Sequence, residues 1–393
     1  MTISIKSPTS TTGAIQKNGT DVLTIDANDN VNIENNISVA GNYLSSQPSF
    51  RNFIINGDMQ IAQRGTSSAG NTGNGYTTVD RFNNWITGAG TWTMSQDSDV
   101  PTGQGFSNSF KMACTTANAS LGSTGRFAIL QVIEGQNLQN LKWGTANAES
   151  ITLSFWIKSN KTGTYTLGLN QSNSVPATWH IAKTFTIDSA DTWEKKTLTI
   201  SGNTSTDIRN SNEWALRVII YCAGGSTYTS GTLATSWEAQ DSANAVSSSN
   251  VNIADSTSNY INITGVQLEV GSGASDFEFL PYDVQLERCK RYYQLHGRGP
   301  VGIWSGATNI ESHFIFSPEM RATPTFTVSG STVNISNKTN GNTANCTPSV
   351  VNFGGSNKGA SYAQITNANI TSPSIGHLAQ FRTDDWMRFD AEL

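Results

Sequence analysis

Charged side chains are scarce in this chain, and the few that it has form no basic cluster. Asp, Glu, Lys and Arg make up 13% of its 393 residues, and the net charge is −5. An ordinary soluble domain carries roughly 25% of such residues. Nucleic-acid binding needs clustered Lys and Arg to neutralise phosphates, so this composition argues against a nucleic-acid partner.

Long apolar segments are also missing. The longest apolar run, residues 218–223, is far shorter than the ~20 residues that a membrane-spanning helix needs. We therefore expect no membrane insertion. Residues 1–6 form no apolar signal core, so we expect no Sec-dependent export. A surface-like composition without such a signal favours a protein that leaves its cell by lysis.

Cysteine and histidine, four of each, are too scattered to form a metal or redox motif. Cys114, Cys222, Cys289 and Cys346 show neither a zinc nor a thioredoxin spacing. We expect free, partly buried thiols, with a disulfide between distant strands as the alternative. There is no HExxH pair, and no GxSxG nucleophile turn stands in an α/β setting. We predict no catalytic residue, no metal centre and no cofactor.

Carboxylates could support two further kinds of site. A glycosidase needs two carboxylates about 5–10 Å apart, and the candidates are Glu269, Asp276, Glu278, Asp384 and Asp385. We interpret them as surface or inter-domain ion pairs, because the dense repeats of a parallel β-helix tailspike are absent. Structural Ca²⁺ at a sandwich edge stays an open alternative; its candidate ligands are Asp188, Asp191 and Asp276.

Aromatic mass and β patterning are what the chain does have. It contains 16 Phe, 10 Trp and 10 Tyr, too many for a disordered chain. Short segments with alternating apolar and polar residues, separated by Gly, Ser and Asn turns, are typical of a sandwich or barrel. We predict an all-β protein in three parts: a short N-terminal β-hairpin or stem segment (1–49), a central β-sandwich of jelly-roll type (50–283), and a smaller C-terminal β domain (284–393) joined by a short helix.

One helix is expected, over residues 284–293. Asp283 can serve as its N-cap, and Leu286, Cys289 and Tyr293 fall on one helical face. We interpret this helix as a connector packed on a sheet.

Two further local predictions concern the packing of two tryptophans and one ion pair. In the strand at 214–222, Trp214 is expected to share a face with Leu216 and the other even-numbered residues, so Trp214 is assigned to packing, as is Trp156. Arg64 is expected to pair with either Asp58 or Asp80.

Glycan binding uses exposed aromatic faces that stack on sugar C–H groups. Trp179 lies at a strand approach, Tyr228 and Trp237 lie in a long polar excursion at 224–259, and Trp304 lies among Gly and Ser. We predict these four as candidate ligand-binding residues. For each, packing in the core or in a trimer interface is the alternative interpretation.

Four segments resemble, in their order and spacing, a large family of bacteriophage tail-fibre or receptor-binding proteins. They are 52–65 (NFIINGDMQIAQRG) with Asp80-Arg81-Phe82 downstream, 264–282, 286–294 (LERCKRYYQ) and 317–325 (SPEMRATPT). Phe82 departs from the Trp that is usual in that family. The central part also resembles the jelly rolls of carbohydrate-binding modules, through residues 154–159, 191–193 and 265–269.

The resemblance implies a homotrimeric virion fibre, assembled in the host cytoplasm and carried on the phage tail or particle surface. Its N-terminal segment would bind other tail or baseplate proteins, and the rest would contact a host-surface glycan or protein. We expect a non-enzymatic attachment subunit in which several weak sites act together. Two alternatives stay open: a purely structural collar, head-fibre or connector protein, and a glycan depolymerase.

Overall fold

The computed structural model describes residues 50–173, 178–296, 315–327, 356–359 and 387–393 in full, and elsewhere only the backbone of strands. The chain divides into two compact units, Met1–Arg51 and Asn52–Leu393. The strands of the first unit are β1 (Gly13–Lys17), β2 (Thr20–Ile25), β3 (Val31–Ile33), β4 (Ser38–Val39) and β5 (Asn42–Tyr43). The first three form one antiparallel sheet, and β4 pairs with β5. This unit contains the short β-hairpins that the sequence predicts.

The second unit contains a sandwich of two antiparallel sheets. Its strands are β6 (Ser67–Asn71), β7 (Gly75–Tyr76), β8 (Asn83–Thr87), β9 (Thr91–Asp97), β10 (Ser109–Thr116), β11 (Arg126–Glu134), β12 (Ile151–Ser159), β13 (Gly163–Ser172), β14 (Thr178–Ile187), β15 (Glu194–Ile200), β16 (Trp214–Gly224), β17 (Glu238–Ala239) and β18 (Tyr260–Val270). The smaller sheet has the order β15-β12-β18-β10-β9-β6, and the larger sheet has the order β17-β14-β13-β16-β11-β8-β7.

One apolar core fills the space between the two sheets. On β12, Leu153, Phe155 and Ile157 are fully buried, whereas Trp156 and Lys158 on the opposite side are partly exposed. This is the alternation that a strand with one core-facing side produces. Trp92 of the smaller sheet stacks on Phe127 of the larger sheet, with ring centroids 4.1 Å apart. The all-β sandwich prediction is confirmed.

The connection between β16 and β18 is the expected polar excursion. It contains one helical turn, α1 (Ser226–Thr229), the short β17, and two 3₁₀ turns (Ser242–Asn244 and Ile253–Asp255). Two further 3₁₀ turns, Gly135–Asn137 and Gln139–Leu141, follow β11.

The C-terminal part begins with the predicted helix, α2 (Tyr282–Lys290). Two predictions about this helix are wrong. Pro281 occupies the N-cap position and Asp283 makes no cap hydrogen bond; Asp283 lies in the first turn, where its charge complements the helix dipole. Tyr293 is not helical, because the helix ends at Lys290 and Tyr293 begins the next strand.

Ten strands follow α2: β19 (Tyr293–His296), β20 (Val301–Trp304), β21 (Asn309–Ile315), β22 (Thr325–Val328), β23 (Val333–Asn337), β24 (Thr343–Cys346), β25 (Val350–Gly355), β26 (Gly359–Thr366), β27 (Leu378–Phe381) and β28 (Met387–Asp390). β19, β28 and β22 form a three-stranded sheet, and the other seven form a second sheet. A small C-terminal β domain is therefore present, while the boundary at residue 284 stays a prediction.

The segments that resemble phage fibres meet in one buried junction between the sandwich and the C-terminal part. The Asn52 side chain accepts the N–H of Leu268 and donates to the carbonyl of Val266, which ties the first segment to β18. Arg288 of α2 donates to the carbonyl of Asn52, and Gln63 donates to the carbonyl of Tyr293. These contacts connect three of the four segments.

A cluster of buried charges completes the junction. Arg64 lies 3.9 Å from Asp80, so that predicted pair is present, but its nearer partners are Asp390 (3.0 Å) and Glu392 (3.4 Å). Asp58, the other predicted partner, instead accepts from the side chain of Gln60 and from that of Gln285. The motif residues therefore hold the C-terminal strand against the sandwich and are largely buried.

Three of the four cysteines lie within the part of the chain that the structure describes in full, and all three are buried and free, as predicted: Cys114, Cys222 and Cys289. Burial raises the pKa of each of these thiols. The side chain of Cys346 lies outside the described residues.

Candidate functional site

The outward face of the larger sheet carries a series of alternating aromatic and arginine side chains. Tyr228 lies on α1, Arg126 on β11, Trp85 on β8, and Arg217 and Trp214 on β16. All five residues are partly exposed. We call these five residues the ladder face.

Strand pairing assembles the ladder face from distant parts of the chain. On β11, Phe127 and Ile129 occupy the core, so Arg126 and Leu130 point outward. Trp85 pairs directly with Ala128 of β11, and β16 pairs along the other edge of β11. Three strands that are far apart in sequence therefore present their outward side chains to one surface.

Each arginine of the ladder face lies against two rings. The Cζ atom of Arg126 is 4.4 Å from the centroid of Trp85 and 5.4 Å from that of Tyr228. The Cζ atom of Arg217 is 3.9 Å from the centroid of Trp214 and 5.6 Å from that of Trp85. All four distances fall within the ~6 Å range of cation–π attraction. The rings are thus held in fixed positions with part of their surface accessible.

An apolar floor lies beneath the ladder face. Leu130, Val132 and Ile219 are buried there, and the side chain of Leu393 packs against the same cluster. The hydroxyl of Tyr76 donates to the backbone oxygen of Leu393. A ligand on this face would meet aromatic surface and a water-poor floor together.

Within the part of the chain whose side chains are described, neither arginine of the ladder face has a charged partner. Arg64, Arg81, Arg209 and Arg291 each lie within 4.0 Å of a carboxylate. Among the residues with described side chains, no carboxylate lies within that distance of Arg126 or Arg217, and neither guanidinium donates a hydrogen bond to them. The Nε atom of Arg126 is buried without a partner. Burial lowers the pKa of Arg217, because the charged form loses solvation there.

Of the four aromatic residues predicted as candidate ligand-binding residues, one, Tyr228, lies on this face; Trp214, which was assigned to packing, lies there as well. The predicted single face from Trp214 through Leu216 to Cys222 is wrong at its first residue. The pairing shifts between Ile133, opposite Leu216, and Glu134, opposite Trp214, which leaves Ala215 as a bulge. A bulge inverts the side-chain alternation, so Trp214 turns outward while Leu216 stays in the core.

The other three predicted aromatic residues do not join the ladder face. Trp237 donates to the carbonyl of Ser201 at 2.8 Å and packs edge-on against Trp143, so it braces a loop against the core. Trp179 is partly exposed on β14, near the opposite edge of the larger sheet. Trp304 ends β20, and its side chain lies outside the described residues.

Two of the carboxylates considered for hydrolysis, Glu269 and Glu278, make structural hydrogen bonds. Glu269 is buried and accepts from the backbone N–H and the hydroxyl of Ser275. Glu278 accepts from the backbone N–H of Asn52. These bonds fasten the segment after β18 to the sandwich. Asp384 and Asp385 lie outside the described residues.

The candidate calcium ligands do not gather into one group. Asp188 pairs with Lys196 at 3.1 Å, and Asp191 accepts from the hydroxyl of Tyr260. In the described part of the chain, no group of three or more His, Cys, Asp or Glu residues is placed to hold a metal ion. Structural Ca²⁺ stays a prediction.

A concave feature away from the ladder face lies at the open edge between the sheets. This cleft of about 220 Å³ is lined by residues of β14, β15 and the excursion, among them Ile181, Lys183, Thr199 and Leu233. It presents one cationic side chain and no aromatic ring. The ladder face therefore offers the better surface for a ring-shaped ligand.

No family model matches this chain, and no curated protein matches it. Solved structures that are similar to part of this chain include the enzymatically active domain of tailspike protein 4 from bacteriophage CBA120 (15% identity, 56% of this chain and 21% of that chain, TM-score 0.32). A second is the xylan-binding CBM22-2 domain of Paenibacillus barcinonensis Xyn10C (15% identity, 55% of this chain and 96% of that chain, TM-score 0.25). A third is a family 11 carbohydrate-binding module from Clostridium thermocellum in complex with a mixed-linked tetrasaccharide (10% identity, 53% of this chain and 98% of that chain, TM-score 0.24). The chain thus spans about a fifth of the tailspike chain. Among the described residues, no helix has the length and apolar character needed to cross a bilayer.

Proposed function

We propose that this chain is a non-enzymatic attachment subunit of a bacteriophage particle, a tail fibre or receptor-binding protein, and that its sandwich binds a host-surface glycan on the ladder face. The observation that carries the proposal is the set of three partly exposed rings held in place by Arg126 and Arg217 above an apolar floor.

Sugar rings present C–H faces that stack on aromatic side chains, while their hydroxyl groups need hydrogen-bond donors at the rim. Trp85 and Trp214 supply the faces, and the two guanidinium groups supply donors that nothing described in the protein occupies. Rings that are already immobilised lose little conformational entropy when a ligand binds. The arrangement suits binding without chemical change, since two of the acidic candidates, Glu269 and Glu278, are engaged in structural hydrogen bonds.

Three further features belong to the proposal. The chain would form a homotrimer, so that three weak sites act together. Its first unit would bind other virion proteins, and the protein would reside on the phage tail or particle surface. A purely structural appendage and a glycan depolymerase are the competing functions, and the experiment below separates them.

The test measures binding of the purified chain to an array of bacterial surface polysaccharides, together with its mass in solution. We expect selective binding that Trp85→Ala and Trp214→Ala each weaken at least about fivefold, because stacking on one ring contributes about 1–3 kcal/mol to binding. Trp156→Ala is the matched control, since Trp156 is also partly exposed but lies on the outward face of the smaller sheet.

Each outcome bears on one function. Absence of binding to every polysaccharide would favour the structural appendage. Release of reducing ends from a bound polysaccharide would establish the depolymerase. Equal binding by all three variants and the wild type would place the glycan away from the ladder face, and a monomeric mass would contradict the trimer.

A further inference from the structure

Among the residues with described side chains, no carboxylate lies within 4.0 Å of Arg126 or Arg217, whereas Arg64, Arg81 and Arg209 of the sandwich each have one. Contact with a ring face satisfies none of the five N–H donors of a guanidinium. Charged groups that are removed from water are normally paired, and the structure follows this rule at Arg64, Arg81 and Arg291. The two ladder-face arginines depart from this rule, as does Arg288 of α2, whose described hydrogen bond goes to the carbonyl of Asn52.

The carboxylates of Glu134 and Glu392 already have partners in the protein. Glu134 pairs with Trp214 across the sheet, but its two carboxylate oxygens accept from Arg291 and from the hydroxyl of Tyr292. Glu392 is held by Arg81. Neither of these two carboxylates can neutralise the ladder face without breaking a buried pair.

We propose that the ligand of the ladder face is an anionic saccharide, in which a carboxylate, phosphate or sulfate group binds Arg126 and Arg217 while the sugar ring stacks on Trp85 or Trp214. This inference rests on the proposed glycan-binding function and specifies its ligand class. Arginine suits the role, because its planar donors match carboxylate, phosphate and sulfate oxygens in pairs.

The charge of the whole molecule makes the inference specific. The net charge is −5, so the protein as a whole repels polyanions. Binding of an anionic saccharide therefore has to come from a local site. The partial burial of both arginines strengthens their attraction for an anion, since fewer water molecules screen the charges.

The experiment titrates the full chain with four saccharides of similar length: oligogalacturonate, dextran sulfate oligomers, glycerol-phosphate teichoic acid and neutral dextran oligomers. Affinity is measured at low and high salt. We expect one of the three anionic probes to bind at least tenfold more tightly than dextran, and its affinity to fall as salt rises. The three anionic probes distinguish carboxylate, sulfate and phosphate as the source of the charge.

Arg126→Gln and Arg217→Gln are each expected to weaken that binding roughly tenfold or more, because each variant loses a charged hydrogen-bond donor to the anion. Arg388→Gln removes the same charge from an exposed residue of β28 and should change affinity less than twofold. Arg217→Lys, which keeps the charge, should retain the salt dependence; it also serves as the test if Arg217→Gln fails to fold.

Two results separate this inference from the proposed function. Equal affinity for dextran and the anionic probes, with no effect of either glutamine variant, would overturn the anionic ligand and leave glycan binding intact. Absence of binding to all four probes, together with a negative polysaccharide array, would overturn both.

Discussion

Replacing Glu392 with glutamine is expected to destabilise the junction strongly. The Glu392 side chain is 6% exposed, and it pairs with Arg81, which is 1% exposed, and with Arg64 at 3.4 Å. Burial raises the pKa of Glu392, and the two arginines oppose that shift by favouring the carboxylate. Glutamine keeps the shape and removes the charge, which leaves two buried cations without their shared anion.

The expected loss in the free energy of unfolding is about 3 kcal/mol. Breaking a buried ion pair by removing one partner costs about 3–5 kcal/mol. The lower end applies because Arg81 keeps its hydrogen bond to the carbonyl of Val132 and its contact with the Tyr292 ring, whose centroid is 3.4 Å from Cζ. Glu213→Gln is the control: its carboxylate is 62% exposed and pairs with Arg209 four residues earlier, and exposed pairs contribute about 0.2–1 kcal/mol.

Urea unfolding followed by tryptophan fluorescence at fixed protein concentration measures both variants. The double variant Arg81→Met/Glu392→Leu should recover most of the loss, because apolar side chains can replace a buried pair at little cost. If Glu392→Gln unfolds within about 0.5 kcal/mol of Glu213→Gln, the junction does not depend on its buried charges and the structural interpretation of the motif segments is refuted.

Three other predictions concern pH, backbone geometry and thiols. Burial raises the pKa of Asp80 to about 6, above the ~3.9 of an unfolded aspartate, so its stabilising contribution is fully present below pH ~4 and is lost as pH rises through ~6. Between pH 4 and pH 7, the free energy of unfolding of the wild type should fall by up to about 3 kcal/mol more than that of Asp80→Asn. Parallel pH profiles of the two proteins would contradict this. Gly90 has a φ of +77° and a Cβ there would lie 2.0 Å from the Thr116 oxygen, whereas a Cβ on Gly73 would meet no atom within 4 Å. Thermal unfolding should show that Gly90→Ala lowers the free energy of unfolding by at least about 2 kcal/mol and Gly73→Ala by under about 0.5 kcal/mol. Similar melting temperatures for the two variants would count against the Gly90 geometry. Because Cys114, Cys222 and Cys289 are buried, a thiol reagent should modify at most one of the four thiols before unfolding and all four afterwards; two or more fast-reacting thiols would disagree with the structure.

The sandwich could be predicted from sequence because its signal is local. On β12, the core-facing residues Leu153 and Phe155 alternate with residues that point away from the core, and β8 and β9 show the same alternation. Fold class follows from many such segments, so an error at one of them changes little. The free cysteines were predictable for the same reason, since their spacing excluded the known motifs.

The candidate site could not be predicted in this way, because it depends on pairing between distant strands. Arg126 and Trp85 are 41 positions apart in sequence and meet only through the pairing of β8 with β11. Trp214 reaches the surface through a bulge, and a one-residue insertion in the pairing reverses every assignment on one side of it. Trp237 attracted attention as an aromatic residue in a polar loop, yet its ring braces that loop.

Ligand protection of individual tryptophans tests the central claim most directly. The chain is oxidised with a limiting amount of a tryptophan reagent, with and without its best-binding saccharide, and each residue is quantified by mass spectrometry. Binding on the ladder face predicts that the saccharide slows oxidation of Trp85 and Trp214 at least severalfold, while Trp156 and Trp179 react at unchanged rates. Unchanged oxidation of Trp85 and Trp214 at saturating saccharide would contradict the account.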